Sequence, residues 1–293
     1  VMEYVTLNNG VKMPMLGYGV FQTPPEETER CVKEALKVGY RLIDTAQAYG
    51  NEEGVGAAVA KSGIPREEIF ITSKIWVSNM NYERARVSID ETLKKLGTDY
   101  VDLMLLHQAM GDYPGAYRAM EEAYKQGKIR AIGLSNFYPE RLTDVCMLAE
   151  VTPTVNQIET HPFRQQDEAH ANMDKLGVVH EAWAPFAEGK NNIFTNPILS
   201  EIGEKYGKKP GQAVLRALMQ KGVVVIPKTV HKQRMEENFD VFDFELTSED
   251  LEKFTSLEDP AFPPIFDHFD VNVVGWMLGE LVKKQQLQGA SLY

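Results

Sequence analysis

One unit recurs along the chain and limits what it can fold into: a helical stretch, a lysine close to a glycine, then a short apolar run. It reads Lys37-Val38-Gly39, Lys61-Ser62-Gly63, Lys95-Leu96-Gly97, Lys125-Gln126-Gly127, Lys175-Leu176-Gly177 and Lys221-Gly222. Glycine accepts the left-handed backbone that ends a helix, and a lysine in the last turn complements the helix dipole. The runs that follow, such as 100–106 and 223–227, have the length of buried strands. Between them apolar residues keep helical spacing. Ala85, Ile89, Leu93 and Leu96 share one face, as do Val32, Ala35 and Leu36 after the helix-start pair Pro24-Pro25. Eight candidate strands result, near 15–20, 42–44, 70–74, 101–107, 131–135, 154–158, 178–183 and 223–227. Strands alternating with helices without a linker predict a single α/β domain over 1–293, a (β/α)8 TIM barrel. An open doubly wound sheet is the alternative, because periodicity does not show closure. Residues 4–7 and 12–15, joined by Asn8-Asn9-Gly10, predict a short N-terminal β-hairpin. The stretch after Pro260 predicts a C-terminal substrate loop with a helix over 273–282.

Composition narrows the partners. A chain of 293 residues, 43% apolar and 10% aromatic, supports a sizeable core. A net charge of -11 argues against nucleic acid or an anionic membrane. Basic residues between Lys205 and Arg234 still leave room for a small anionic ligand. Cys31 and Cys146 are too few for a disulfide scaffold and fit a reducing cytoplasm. No apolar run approaches the ~20 residues that span a bilayer, and the N-terminus lacks the pattern of a secretory signal. His161, His170 and His180 are scattered, so no metal site is expected.

Two motifs fall short of what they imitate. Gly54-Val55-Gly56-Ala57-Ala58-Val59 lacks the last glycine of a dinucleotide fingerprint and sits within a helix, which makes it a helix-packing feature. Gly133-Leu134-Ser135-Asn136-Phe137 has a phenylalanine where a nucleophile elbow closes on glycine. More informative are four ionisable residues at strand ends: Asp44 and Tyr49 after Leu42-Ile43, Lys74 after 69–71, and His107 after 103–106. In a parallel α/β fold those ends lie on one face, where active sites are built. Singly, a strand-end lysine is a snorkelling surface residue and an aspartate a turn residue. Together they complete a mechanism. Tyrosine, with a solution pKa of about 10, is a poor acid that a nearby ammonium improves. A carboxylate keeps that ammonium charged and oriented, and an imidazole polarises a carbonyl.

Asp44-Thr45-Ala46-Gln47-Ala48-Tyr49-Gly50-Asn51-Glu52 resembles the aldo-keto reductase motif around its catalytic tyrosine. So do Thr72-Ser73-Lys74, Leu105-Leu106-His107, the run 127–137, Asn156-Gln157-Ile158-Glu159, Ala182-Trp183-Ala184-Pro185 and Ile226-Pro227-Lys228-Thr229, in the family's order across roughly 5 to 258. The resemblance implies Tyr49 as proton donor, Lys74 as its activator, Asp44 as counter-ion and His107 as carbonyl orienter. It implies a nicotinamide stacked on Trp183, its carboxamide held by Ser135, Asn136 and Gln157. Gly19, Val20, Ala184, Pro185 and Phe186 are further implied cofactor contacts. The adenosine end is implied along Lys228, Thr229, Val230, Arg234, Glu237 and Asn238, with Lys228 and Arg234 gripping a 2′-phosphate, so NADPH is the expected cofactor.

Departures from the family pattern concern the substrate. His107 is followed by Gln108-Ala109 where the pattern has Trp-Pro, Ala184 replaces a serine, and the tail after Pro260 matches loosely. The short connection after His107 resembles the bacterial-type branch that includes diketogluconate, glyoxal and prostaglandin-type reductases. Phe21, Trp76, Gln108, Tyr113 and Phe266 are the expected substrate contacts. The expectation is an NADPH-dependent reductase of aldehydes and ketones, monomeric and cytoplasmic. Its rivals are a non-catalytic NADPH-sensing barrel and a Schiff-base enzyme using Lys74.

Overall fold

A computed structural model of the chain describes the backbone of residues 1–287 and side chains through Gly279. Strands β1 (Tyr4–Thr6) and β2 (Lys12–Pro14) pair antiparallel as the expected hairpin. The other strands are β3 (Tyr18–Gly19), β4 (Leu42–Asp44), β5 (Phe70–Ile75), β6 (Leu103–Leu106), β7 (Ile132–Ser135), β8 (Val155–Glu159), β9 (Val179–Trp183) and β10 (Val224–Val225). They lie side by side in chain order, all parallel.

The sheet closes on itself. Leu16 bridges Val225 in parallel, with Val225 N donating to Met15 O at 2.9 Å and Gly17 N to Val225 O at 2.8 Å. That seam makes a barrel and removes the open-sheet alternative. At the seam the regular strands are shorter than their apolar runs. Pro227 has no N–H to continue the ladder, and Gly17 lies so close to β4 that an added Cβ would sit 2.4 Å from Leu42 Cγ.

Helices follow the strands in turn: α1 (Pro25–Val38), α2 (Glu52–Lys61), α3 (Tyr82–Leu96), α4 (Tyr113–Lys125), α5 (Pro139–Leu148) and α6 (Asp167–Leu176). Two follow β9, α7 (Pro197–Glu204) and α8 (Pro210–Gln220); α9 (Lys232–Phe239), α10 (Ser248–Thr255) and α11 (Val271–Leu287) follow β10. The glycines of the recurring unit, from Gly39 to Gly222, all take positive φ. Val32, Ala35, Ala85, Ile89 and Leu96 are buried against the barrel, with Leu93 at the margin. The Gly54-Val55-Gly56 motif does pack helices: a Cβ on Gly56 would lie 2.3 Å from Leu96 O, and one on Gly54 2.8 Å from Thr28 Cβ.

The hairpin covers one end of the barrel. Asn8 Nδ2 donates to Pro153 O at 2.9 Å and Gly177 O at 3.1 Å, and Asn9 Nδ2 to Arg130 O at 3.0 Å. Those carbonyls stand just ahead of β8, β9 and β7, so the N-terminal ends of the strands are capped. The C-terminal ends stay available for a site.

Candidate active site at the C-terminal mouth

The strand order delivers the expected ionisable set to one place. Asp44 ends β4, and Lys74 lies near the end of β5, its neighbour in the sheet. Leaving β4, the chain makes a short 3₁₀ turn over Gln47–Tyr49 that swings the phenol back over the lysine. Lys74 Nζ donates to Asp44 Oδ1 at 2.6 Å, to Thr45 O at 3.0 Å and to Tyr49 OH at 3.0 Å. His107 follows β6, its N–H held by Ile75 O at 3.1 Å. Its ring stands edge-on to Tyr49, with centroids 5.7 Å apart, and to Trp76 at 5.0 Å.

Burial sets the electrostatics of this set. Lys74 is 0% exposed, and desolvation alone would push its pKa down; Asp44 and Tyr49 outweigh that and hold it above the ordinary value. The charge therefore survives inside the barrel because its three N–H bonds are all accepted. Tyr49 departs from the expected direction. Its pKa is raised, because burial outweighs the lowering by Lys74, and Asp44 adds to the rise. The phenol is thus a firmly protonated donor before reaction. His107 is held well below its usual pKa by burial, by Lys74 and by His268. It is a neutral imidazole whose buried Nδ1 finds no hydrogen-bond partner among the described residues. Nε2 is the nitrogen left to serve a ligand.

A cavity of about 730 Å³ opens over these groups. Asp44, Tyr49, Trp76, His107, Gln108 and Phe21 line it, with Phe266 from the C-terminal segment. Gly19, Ser135, Asn136, Gln157 and Trp183 line it too, followed by Ala184, Pro185, Phe186 and Lys228. Its walls are tied together. Trp183 Nε1 donates to Asn136 Oδ1 at 2.9 Å, Asn136 Nδ2 to His107 O at 3.0 Å, and Ser135 Oγ to Gln157 O at 2.8 Å. Gln157 Nε2 donates at 2.9 Å to both Asp44 Oδ2 and Glu181 Oε1, while its own Oε1 has no partner among the described residues. Asn136 and Ala184 take φ of 63° and 53°, a strained conformation for non-glycine residues of the kind found at functional sites.

Other expected residues fall outside the cavity lining. Tyr113 opens α4 and packs edge-on against Phe137 at 5.2 Å, under Arg141, away from the cavity lining. Val20 is buried behind the mouth, its N–H on Asp44 O. Thr229, Val230, Arg234, Glu237 and Asn238 lie on the turn after β10 and along α9. Glu237 pairs with Lys209 at 2.5 Å and Asn238 is buried, whereas Lys228 and Arg234 are exposed and make no ion pair among the described residues. Sequence reasoning also missed several participants. Ile265, His268 and Met277 reach the cavity from the tail, and Glu181 lies beneath it. A carboxylate in the middle of the apolar run 178–183 was the available signal for Glu181. Nothing local marked His268, whose Nε2 donates to Gln108 Oε1 at 2.9 Å across 160 residues.

A closed barrel with a buried lysine–carboxylate pair behind a phenol at its mouth is the architecture of an enzyme. The chain belongs to the aldo/keto reductase family, whose profile matches residues 13–259, and so is an oxidoreductase of that family. It is 45% identical over 257 residues to glyoxal reductase from Bacillus subtilis, covering 87% of this chain and 92% of the relative. Methylglyoxal reductase DkgA from Escherichia coli is 42% identical over 257 residues, covering 87% and 93%. The crystal structure of a Bombyx mori aldo-keto reductase in complex with NADP superposes with a TM-score of 0.82 at 32% identity, covering 87% of this chain and 92% of that one. Among the described residues no helix is long and apolar enough to cross a membrane.

Proposed function

We propose that the protein reduces small aldehydes and ketones, dicarbonyls and keto-sugars among them, to alcohols with NADPH, acting as a cytoplasmic monomer. The observation that carries this reading is Lys74 Nζ bound between Asp44 Oδ1 and Tyr49 OH at the floor of the cavity. The cofactor's own demands are met by features of the chain. Gln157 Oε1 is an open acceptor for a carboxamide, Trp183 offers a planar face, and Lys228 and Arg234 are exposed cations, without an ion pair among the described residues, for a phosphate. The first turn of α9 has no side-chain cap, which leaves N–H groups for an anion.

NADPH held along these residues would supply a hydride for the carbonyl carbon. The chain's residues handle the proton and the charge. His107 Nε2 donates to the substrate oxygen and fixes which face of the carbonyl is presented. As negative charge builds on that oxygen, Tyr49 OH passes its proton to it. Lys74, already donating to the phenol oxygen, stabilises the phenolate left behind, and Asp44 keeps the ammonium in place. Burial raises the Tyr49 pKa even with Lys74 beside it, and without that cation the phenolate would be costlier still, which ties turnover to Lys74.

Tyr49→Phe tests the reading. Turnover of methylglyoxal, followed by NADPH absorbance, should drop by about 10²-fold or more, while NADPH still quenches tryptophan fluorescence. Unchanged turnover would refute the proton-donor role. Tight NADPH binding without consumption by the wild-type protein would point to the sensing barrel instead.

A further inference from the structure

Gln157 is the open acceptor of the cavity because both of its amide protons are committed elsewhere. One goes to Asp44 Oδ2 and the other to Glu181 Oε1, each at 2.9 Å. The amide cannot turn over without breaking two bonds to carboxyl oxygens, so Oε1 is held toward the ligand side. Glu181 has no role in the chemistry described above, yet it sits in the middle of β9 at 0% exposure. Its second oxygen, Oε2, is buried and has no hydrogen-bond partner among the described residues. An ionised carboxylate with a bare oxygen in such a place is costly.

The charges around it decide its state. Asp44 faces Glu181 from β4, Lys74 from β5, the neutral Gln157 from β8, and Tyr49 from the turn after β4. Glu159, two residues beyond Gln157 on β8, is occupied with His161 and the Ile265 N–H. On the other side β10 presents only Val224 and Val225. Lys74 is matched by Asp44, so the group is neutral only if Glu181 carries a proton. Burial, and then Asp44, push Glu181 up to about 8.

We propose that Glu181 is a positioning residue that works as a neutral carboxylic acid, locking Gln157 Oε1 toward the carboxamide of a nicotinamide and keeping the charge behind Tyr49 balanced. The proposal rests on the nicotinamide reading of the cavity. When Glu181 ionises, the group gains an unmatched negative charge beneath the nicotinamide position. That favours the positively charged oxidised ring over the neutral reduced one, so cofactor preference shifts toward NADP+ as pH rises through about 8.

Glu181→Gln keeps the acceptor for Gln157 and cannot ionise, whereas Glu181→Leu removes the acceptor. Affinities for NADPH and NADP+ are read by fluorescence titration from pH 6 to 9.5. In the wild type the ratio of the NADP+ to the NADPH dissociation constant should fall several-fold through pH 8. In E181Q the ratio should stay flat across that range. In E181L both affinities should weaken about tenfold at every pH, the loss of roughly one hydrogen bond's orientation. Identical pH curves for wild type and E181Q would overturn the proposal, as would E181Q behaving like E181L.

Thermal melts without cofactor give an independent reading. The native protein should hold a proton that the unfolded chain has released between pH 4.5 and 8. The wild type should therefore lose stability against E181Q as pH rises across that window and level off above it. Equal slopes would overturn the neutral-acid state of Glu181. Failure of every form to bind cofactor would refute the nicotinamide reading, and the melts would still judge Glu181.

Discussion

Lys74 shows how much a single buried side chain is asked to do. It reaches the barrel interior with no exposure and keeps its charge only through Asp44, Thr45 O and Tyr49. Removing one member of such a pair leaves the other charge buried and uncompensated, which costs more than the pair contributes. Lys74→Met should therefore abolish turnover and also lower the unfolding free energy by about 3–5 kcal/mol, measured by urea denaturation. A variant that lost activity at full stability would show that Asp44 finds other compensation. The chemical types of Asp44, Tyr49, Lys74 and His107 were legible in the sequence, because their positions at strand ends are local facts. The direction of the Tyr49 shift was not. Sequence reveals that a cation can be near, but the balance between its attraction and desolvation depends on how completely the phenol is buried.

At the scale of elements, the tail beyond α10 is tied to the barrel by hydrogen bonds and by aromatic packing of Phe262 on His161 and of Phe269 on Tyr138. Glu159, at the end of β8, accepts the Ile265 N–H at 2.9 Å on Oε1 and the His161 Nε2–H at 2.8 Å on Oε2. His268 then meets Gln108. Glu159→Ala should leave both donors without their carboxylate, cost about 1–3 kcal/mol, and open the 265–268 stretch to protease. It should raise KM for the carbonyl more than it lowers kcat, because the tail forms a wall of the cavity and no part of the Asp44, Tyr49, Lys74 and His107 set. An equal fall in kcat with unchanged KM would contradict that division. The substrate wall was the part of the site least visible in sequence. Gln108 stood out by its place after His107, but its partner lies 160 residues away and nothing local announces it.

The whole molecule adds a pH dependence of its own. His107, His180 and His268 are all held below the usual imidazole range, first by burial; His180 falls to about 3 and His268 to about 4. The unfolded chain takes up protons near pH 6.5 that the native barrel refuses, so stability should fall as pH drops from 6.5 toward 4. Urea midpoints across that range check it; a midpoint constant to pH 4 would show these rings charge freely in the native state. Glu181 works in the opposite sense above pH 4.5, so the curve should pass through a maximum and not rise steadily toward neutrality.

The order of elements, the turns that end the helices and the identity of the groups proposed to react follow from the sequence by itself. Each depends on a residue and its near neighbours: a glycine after a lysine, a proline before a helix, an ionisable side chain after an apolar run. Closure of the sheet, the binding of Gln157 by two carboxyls and the wall supplied by the tail were decided only by tertiary structure. Leu16 meets Val225, Asp44 meets Gln157, and Gln108 meets His268 across more than a hundred residues in each case. Such contacts carry no local pattern, because it is the curl of the complete barrel that brings them together.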